Sequence, residues 1–402
     1  MRINRRNWLR STSAVGFGSL LGNRFQRAVA NAAPSGRFRR CLVLWMEGGP
    51  SQLDTFDPKR HGPRGSLQTK VDGLSIADCL PSLAERADQL CVLRSVGSRE
   101  GEHTRATELM HTGFAPVPSF PRPAIGSMIS SNLADPGFPR YVTLGGFGFG
   151  PAFLGSDHGP FVIEDIEAAK GQLQRVSTKR GALDLLSQLN ASYAQTTYAP
   201  TMAGRTSSIE SVRELIDTAF PESLDLEAAT ASDRERYGDH QFGRRVLTAR
   251  RLLTLGVPFV EAQLPGWDTH FDNQNRTGEL CQQLEQPWIA LMDDLQNSGM
   301  WDDTLIVWMG EFGRTPRLNG RAGRDHFPEA TPVVLAGGDL GGRVLGRTSD
   351  DGSKREGEIH SVGDLMATVL SLLGFDTNLE LTTEFGSPTT VTDQGTPIAG
   401  IV

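Results

Sequence analysis

Six short apolar runs punctuate the chain, at residues 41–46, 90–96, 141–144, 258–264, 304–309 and 332–336. Most are continuously apolar rather than alternating, which is the pattern of strands buried on both faces of a parallel sheet. Between them, helical spacing predicts helices at 76–86, 208–219, 233–255, 278–298 and 362–373. In the third of these, Phe242, Val246, Leu247, Leu252 and Leu253 keep an approximate helical period among many charges. Gly256 then stops the helix just before the next strand. Strand and helix alternating along the whole chain predict an α/β fold, with a largely parallel central sheet flanked by helices on both faces.

Two stretches resist this reading. Residues 114–159 are crowded with Gly and Pro, including Ala115-Pro116-Val117-Pro118 and Gly145-Gly146-Phe147-Gly148-Phe149-Gly150, and read as long loops over the sheet edge. The chain from Gly374 onward is polar and weakly patterned. The expected organisation is a single domain over 37–375 followed by a surface tail over 376–402.

The N-terminus changes the picture of where the protein works. Arg5-Arg6-Asn7-Trp8-Leu9-Arg10 has the twin-arginine pattern. A mildly apolar stretch from Ala14 to Leu21 and Ala30-Asn31-Ala32 as a cleavage sequence complete an export signal over 1–32. The mature protein is therefore expected in the periplasm or outside the cell. No other segment approaches the roughly 20 apolar residues of a membrane span. Removing 1–32 takes away six arginines and no acids, so a net charge of −7 becomes −7 − 6 = −13. An acidic mature chain argues against nucleic acid as a partner. The four cysteines, Cys41, Cys79, Cys91 and Cys281, have no zinc-ribbon spacing. Cys41 and Cys91 lie in apolar runs as small buried hydrophobes.

In open α/β sheets ligands bind beyond the carboxyl ends of the strands, and there the polar residues gather. The first strand runs into Glu47-Gly48-Gly49-Pro50-Ser51, followed by Asp54. The strand at 258–264 runs into Gly266-Trp267-Asp268-Thr269-His270. The strand at 304–309 ends in Gly310-Glu311-Phe312-Gly313-Arg314-Thr315-Pro316, and Gly323-Arg324-Asp325-His326 precedes the next one. Each has a bland alternative: Asp268 as a cap, Glu311 as a solvated loop acid, Asp325 and His326 as a surface pair. Together they suit a divalent cation. Mixed carboxylates and imidazoles favour zinc first, with manganese and iron next, whereas oxygen ligands alone would favour magnesium or calcium. Arg314 and Arg324 are forks for a phosphate or sulfate group, or else ion-pair partners of the neighbouring acids.

These segments, in this order, closely resemble the DUF1501 family, an exported bacterial family grouped with the alkaline phosphatase–sulfatase superfamily. The match spans nearly all of 37–375. The resemblance implies an alkaline phosphatase-like sheet with metal ligands at strand ends. It assigns Glu47, Asp268, His270, Glu311, Asp325 and His326 as ligand positions, and likens Glu261 to an acid placed shortly before the Asp–His pair. Phe312 stands where that superfamily has a histidine, and Asp268 and His270 are two residues apart rather than four. His103 falls at the nucleophile position before Thr112-Gly113, with Thr104 beside it. The implied chemistry has His103, Thr104 or an activated water attacking a small anionic ester oriented by Arg314 or Arg324. Alternatives on the same fold are a metal- or ligand-binding envelope protein without turnover and a mutase-like phosphoryl-transfer enzyme.

Overall fold

A computed structural model describes residues 36–402 apart from 60, 61, 63, 133–136, 195–211, 379 and 383–387. The export signal over 1–32 lies outside the described residues. The central sheet is built from nine strands: β1 (Arg40–Glu47), β2 (Leu90–Gly97), β3 (Tyr141–Leu144), β4 (Phe161–Ile163), β5 (Phe259–Pro265), β6 (Thr304–Met309), β7 (Thr331–Ala336), β8 (Arg343–Leu345) and β9 (His360–Ser361). Their order across the sheet is β8-β2-β7-β6-β1-β5-β3-β4, with β9 also paired to β2. β1 lies parallel to both β5 and β6, and β3 is parallel to β4 and β5. Only β7 runs antiparallel to its neighbours β2 and β6 among the described pairings.

The six apolar runs are all strands, and the continuous burial of β1, β5 and β6 follows from their central place. Alternate residues of β1 face opposite sides. Leu42, Leu44 and Met46 enter one core, while Cys41, Val43 and Trp45 enter the other. Five helices matter for the site: α1 (His103–Thr112), α2 (Ile125–Ser131), α3 (Gln241–Leu255), α4 (Asn273–Asn297) and α5 (Val362–Leu372). α3 and α4 cover the first core, and α1, α2 and α5 the second. The fold class is thus the expected α/β sheet flanked on both faces.

Several expectations are corrected. The helix expected over 76–86 is a short strand, Ser75–Ala77, followed by a helix only at Pro81–Glu85. Proline opens that helix because it disfavours helical geometry in the residue before it and needs no N–H bond at the first position. The helix expected over 233–255 is broken into Ala231–Tyr237 and α3, with Gly238 between them at φ 81°. The one expected over 208–219 begins outside the described residues, and 212–216 are helical. The region 114–159 is not loop throughout, since it contains α2. Nor do residues 376–402 form a surface tail. Val391, Ile398 and Ile401 are buried, and Thr396 and Ile398 donate backbone bonds to Asp364 and Thr368 of α5.

Candidate metal centre at the strand ends

Because β1, β5 and β6 are parallel neighbours, their carboxyl ends open onto one edge, and three loops meet there. Gly48, at φ 110°, lets the β1 loop lie against the backbone of Trp267 and Asp268, where a Cβ would collide. The loop after β6 folds back as a two-residue ribbon, Gly313–Arg314, paired antiparallel with His326–Phe327. The 320s are stitched to the β5 loop by Arg324 N–H to the Thr269 carbonyl at 2.9 Å and Asn273 N–H to the Ala322 carbonyl at 2.9 Å. These backbone contacts set His270 and His326 side by side. His103 arrives from α1, whose N-cap Glu102 accepts from Thr104 and Arg105 N–H at 3.1 and 3.0 Å.

Four side chains converge. Asp268 Oδ1 lies 3.4 Å from His103 Nε2, 3.2 Å from His270 Nε2 and 3.5 Å from His326 Nε2. Ligand atoms of His103, Asp268 and His326 all fall within 4.8 Å of one another. Each imidazole is anchored through its other nitrogen. His103 Nδ1 donates to Glu311 Oε1 at 2.7 Å, His270 Nδ1 to Asp325 Oδ1 at 2.9 Å, and His326 Nδ1 to the Gly101 carbonyl at 2.7 Å. A carbonyl can only accept, so the proton of neutral His326 sits on Nδ1 and its Nε2 presents a lone pair. The same reasoning applies to the two carboxylate-anchored rings. His270 Nε2 and His326 Nε2 are then 2.9 Å apart with lone pairs facing. That arrangement is repulsive unless a proton or a cation lies between them.

The electrostatics suit a cation. Burial pushes the Asp268 carboxyl up, but the Arg314 bond and charge, aided by His103 and His270, hold it below its ordinary range. Burial favours the neutral ring of His326 and holds it below the usual imidazole range, although the Gly101 bond acts the other way. The Glu311 bond raises His103. Phe312, which brings no nitrogen to the site, packs its ring 5.0 Å from that of His103 and 4.4 Å from that of His326.

The other expected site residues occupy different places. The buried Oε2 of Glu311 has no hydrogen-bond partner among the described residues, while its Oε1 accepts from His103 Nδ1 and from Gly48 N–H at 2.9 Å, which orients that histidine. Asp325 does the same for His270, with Asn319 Nδ2 donating to it at 3.0 Å. Glu47 stands at the rim of the site, where partial burial of its carboxyl and then the charge of Glu311 push its pKa up. Thr104 is exposed and bonds Glu102. Neither arginine is an open fork. Arg314 is fully buried, donating to Asp268 Oδ1 at 2.6 Å, to the Gly49 carbonyl at 3.0 Å, to the Arg324 carbonyl at 3.2 Å and to the Gly48 carbonyl. Arg324 is equally buried and grips Asp54 at 2.7 and 3.3 Å, along with the carbonyls of Thr315 and Pro316 at 2.7 and 2.5 Å. Glu261 is buried well inside β5, where it accepts from His111 Nε2 at 3.1 Å and Gln263 Nε2 at 2.8 Å. Asp54 is the residue whose part the sequence reading missed. It follows the Gly-Gly-Pro turn as an ordinary-looking acid, and nothing local signals a buried partner 270 residues away.

No curated protein matches the chain. Solved structures that resemble it include a protein in the alkaline phosphatase superfamily from Vibrio parahaemolyticus, at 14% identity and TM-score 0.43, covering 94% of this chain and 79% of that one. The PsFucS1 sulfatase from Pseudoalteromonas sp. is 13% identical at TM-score 0.41, covering 94% and 77%. The C-terminal periplasmic domain of EcEptC from Escherichia coli, in complex with Zn, is 10% identical at TM-score 0.41, covering 93% and 97%. A family model described as protein of unknown function (DUF1501) matches residues 38–402, and the chain belongs to that family.

Proposed function

We propose that the protein is a metal-dependent hydrolase of phosphate or sulfate esters, or of related anionic substrates, acting outside the cytoplasm. One observation carries the reading: three imidazole Nε2 atoms and a carboxylate oxygen converge, each ring fixed from behind by its own acceptor. Acceptors behind metal-binding histidines fix tautomer and orientation and raise ligand basicity. Three nitrogens with one oxygen suit zinc, iron or manganese better than magnesium or calcium. A divalent metal held by His103, Asp268, His270 and His326 would supply Lewis acidity to an ester oxygen. Arg314 keeps Asp268 ionised, Glu311 and Asp325 hold two rings in place, and Phe312 shields one side of the cluster from water. His103, facing the cluster, is assigned to binding rather than attack. Thr104 or a water remains as the nucleophile. Export through the twin-arginine signal belongs to the same proposal. Among the described residues, no helix is long and apolar enough to cross a membrane.

A second reading, a metal-binding envelope protein without turnover, is favoured by the full engagement of both arginines expected to hold the anion. Elemental analysis of the purified mature protein and of an Asp268→Asn/His326→Ala variant tests the centre. The proposal expects bound metal in the first and at least a tenfold loss in the second. Full metal content in the double variant would refute it. A screen of phosphate and sulfate esters with metal-loaded protein then separates the readings, because turnover abolished in the double variant supports the hydrolase. Metal bound with no turnover supports the binding protein.

A further inference from the structure

We infer that Cys79 and Cys281 form an intrachain disulfide that fastens the segment between the Ser75–Ala77 strand and the Pro81–Glu85 helix onto α4. Their sulfurs lie 3.0 Å apart although 202 residues separate them in sequence. The contact is not an isolated approach. The backbone N–H of Leu83 bonds Glu285 Oε1 at 2.9 Å and Arg86 Nη1 meets Asp293 Oδ1 at 2.5 Å, so residues 79–86 lie along α4. Two independent contacts therefore hold the thiols opposite each other before any covalent bond exists. The other two cysteines have no such arrangement. Cys41 is on β1 and Cys91 on β2, with β6 and β7 between them in the sheet, about 14 Å at the usual strand spacing.

Exposure fixes the order of events. Cys79 is partly exposed, whereas Cys281 is buried. The oxidant is a small or protein disulfide of the kind found outside the cytoplasm. The Cys79 thiolate attacks one sulfur of that disulfide, forming a mixed disulfide and releasing the first thiol. The Cys281 thiolate then attacks Cys79 Sγ, closing the bond and expelling the second thiol. Two protons and two electrons leave the protein, and the oxidant's disulfide becomes two thiols. Burial and the neighbouring Cys79 sulfur hold Cys281 in its thiol form, so the partly exposed Cys79 meets the oxidant first, and Cys281 attacks as it loses its proton beside the mixed disulfide.

The location gives the bond a consequence. Cys79 Sγ also lies 3.4 Å from the Asp54 carbonyl, and Asp54 grips Arg324 two residues before His326. A crosslink there braces the wall that carries this buried pair, by limiting the unfolded chain across a loop of some two hundred residues. The site where the bond forms in the cell rests on the export reading, but the chemistry does not.

The test uses the purified full-length chain incubated with oxidised glutathione, then unfolded, alkylated and digested without reduction. The expected result is two alkylated thiols, Cys41 and Cys91, and one crosslinked peptide pair joining Cys79 to Cys281. Four alkylated thiols, or glutathione left on Cys79 with Cys281 free, would overturn the inference. Adding a reductant to the oxidised protein should lower Tm by roughly 5 °C for a chain of this size. An unchanged Tm would overturn the bracing role.

Discussion

Buried arginines decide more of this site than its acids do. Arg324 and Asp54 are both wholly buried and meet through two hydrogen bonds, so neither can lose the other without leaving a charge in the interior. Asp54→Ala should destabilise the protein by about 3–5 kcal/mol, read from the urea midpoint, while pairing it with Arg324→Met should recover much of that loss. Equal destabilisation in the single and double variants would mean that the pair is not the source of the effect. The site was partly legible at this scale. Asp268, His270 and His326 could be picked out because polar residues in Gly-rich turns at strand mouths stand out against apolar runs, whereas His103 came only from the family resemblance, at a nucleophile position. The roles of Glu311 and Asp325 could not be separated from those of the ligands. An acid that binds a cation and an acid that binds the histidine behind it look the same in one dimension. Arg314 and Arg324 were ambiguous for a related reason, since only three-dimensional burial separates a fork open to an anion from one closed on carbonyls.

At the level of elements, the buried strands were the clearest signal, because a parallel sheet covered on both faces has no polar side to interrupt its apolar runs. Short edge strands such as Arg343–Leu345 and His360–Ser361 carry no such run and are half-exposed, so they stayed invisible. Helix boundaries failed where a turn hides inside a periodic stretch. The break at Gly238 is an example, and the restart depends on His240, whose Nδ1 accepts the Gly243 N–H at 3.2 Å as the N-cap of α3. Only the neutral ring can accept that bond. Burial lowers the pKa of His240 in spite of Asp239, so the unfolded chain binds this proton more readily than the folded one. Stability from the neutral cap is thus present above the ordinary imidazole range and falls as pH drops through it. Between about pH 7.5 and about pH 5.5 the wild type should lose roughly 0.5–1 kcal/mol that a His240→Asn variant retains, because asparagine caps without titrating there. Parallel pH profiles of the two urea midpoints would exclude this cap as the titrating group.

Across the whole molecule, the candidate ligands come from three separate crossings of one sheet edge: the entry to α1 after β2, the loop after β5, and the ribbon that follows β6. Backbone contacts already bring these loops together, yet His270 and His326 still face each other through unshared pairs at 2.9 Å. A proton or a cation between the two rings satisfies that contact, and a cation bound there would favour the native state over the unfolded one. At a metal concentration near a thousand times Kd this linkage is worth about 4 kcal/mol. Spread over the unfolding entropy of a chain of this length, that is a rise in Tm of roughly 5 °C. Chelation should remove the increment from the wild type and leave the Asp268→Asn/His326→Ala variant unmoved. Hydrogen exchange should localise the change, with amides in residues 101–105, 266–273 and 319–327 exchanging faster after chelation while β1 and β6 keep their protection. If metal raises Tm equally in the double variant, the cation sits elsewhere. If exchange quickens in the central strands as well as the loops, the metal supports the sheet as a whole rather than the meeting of its three loops.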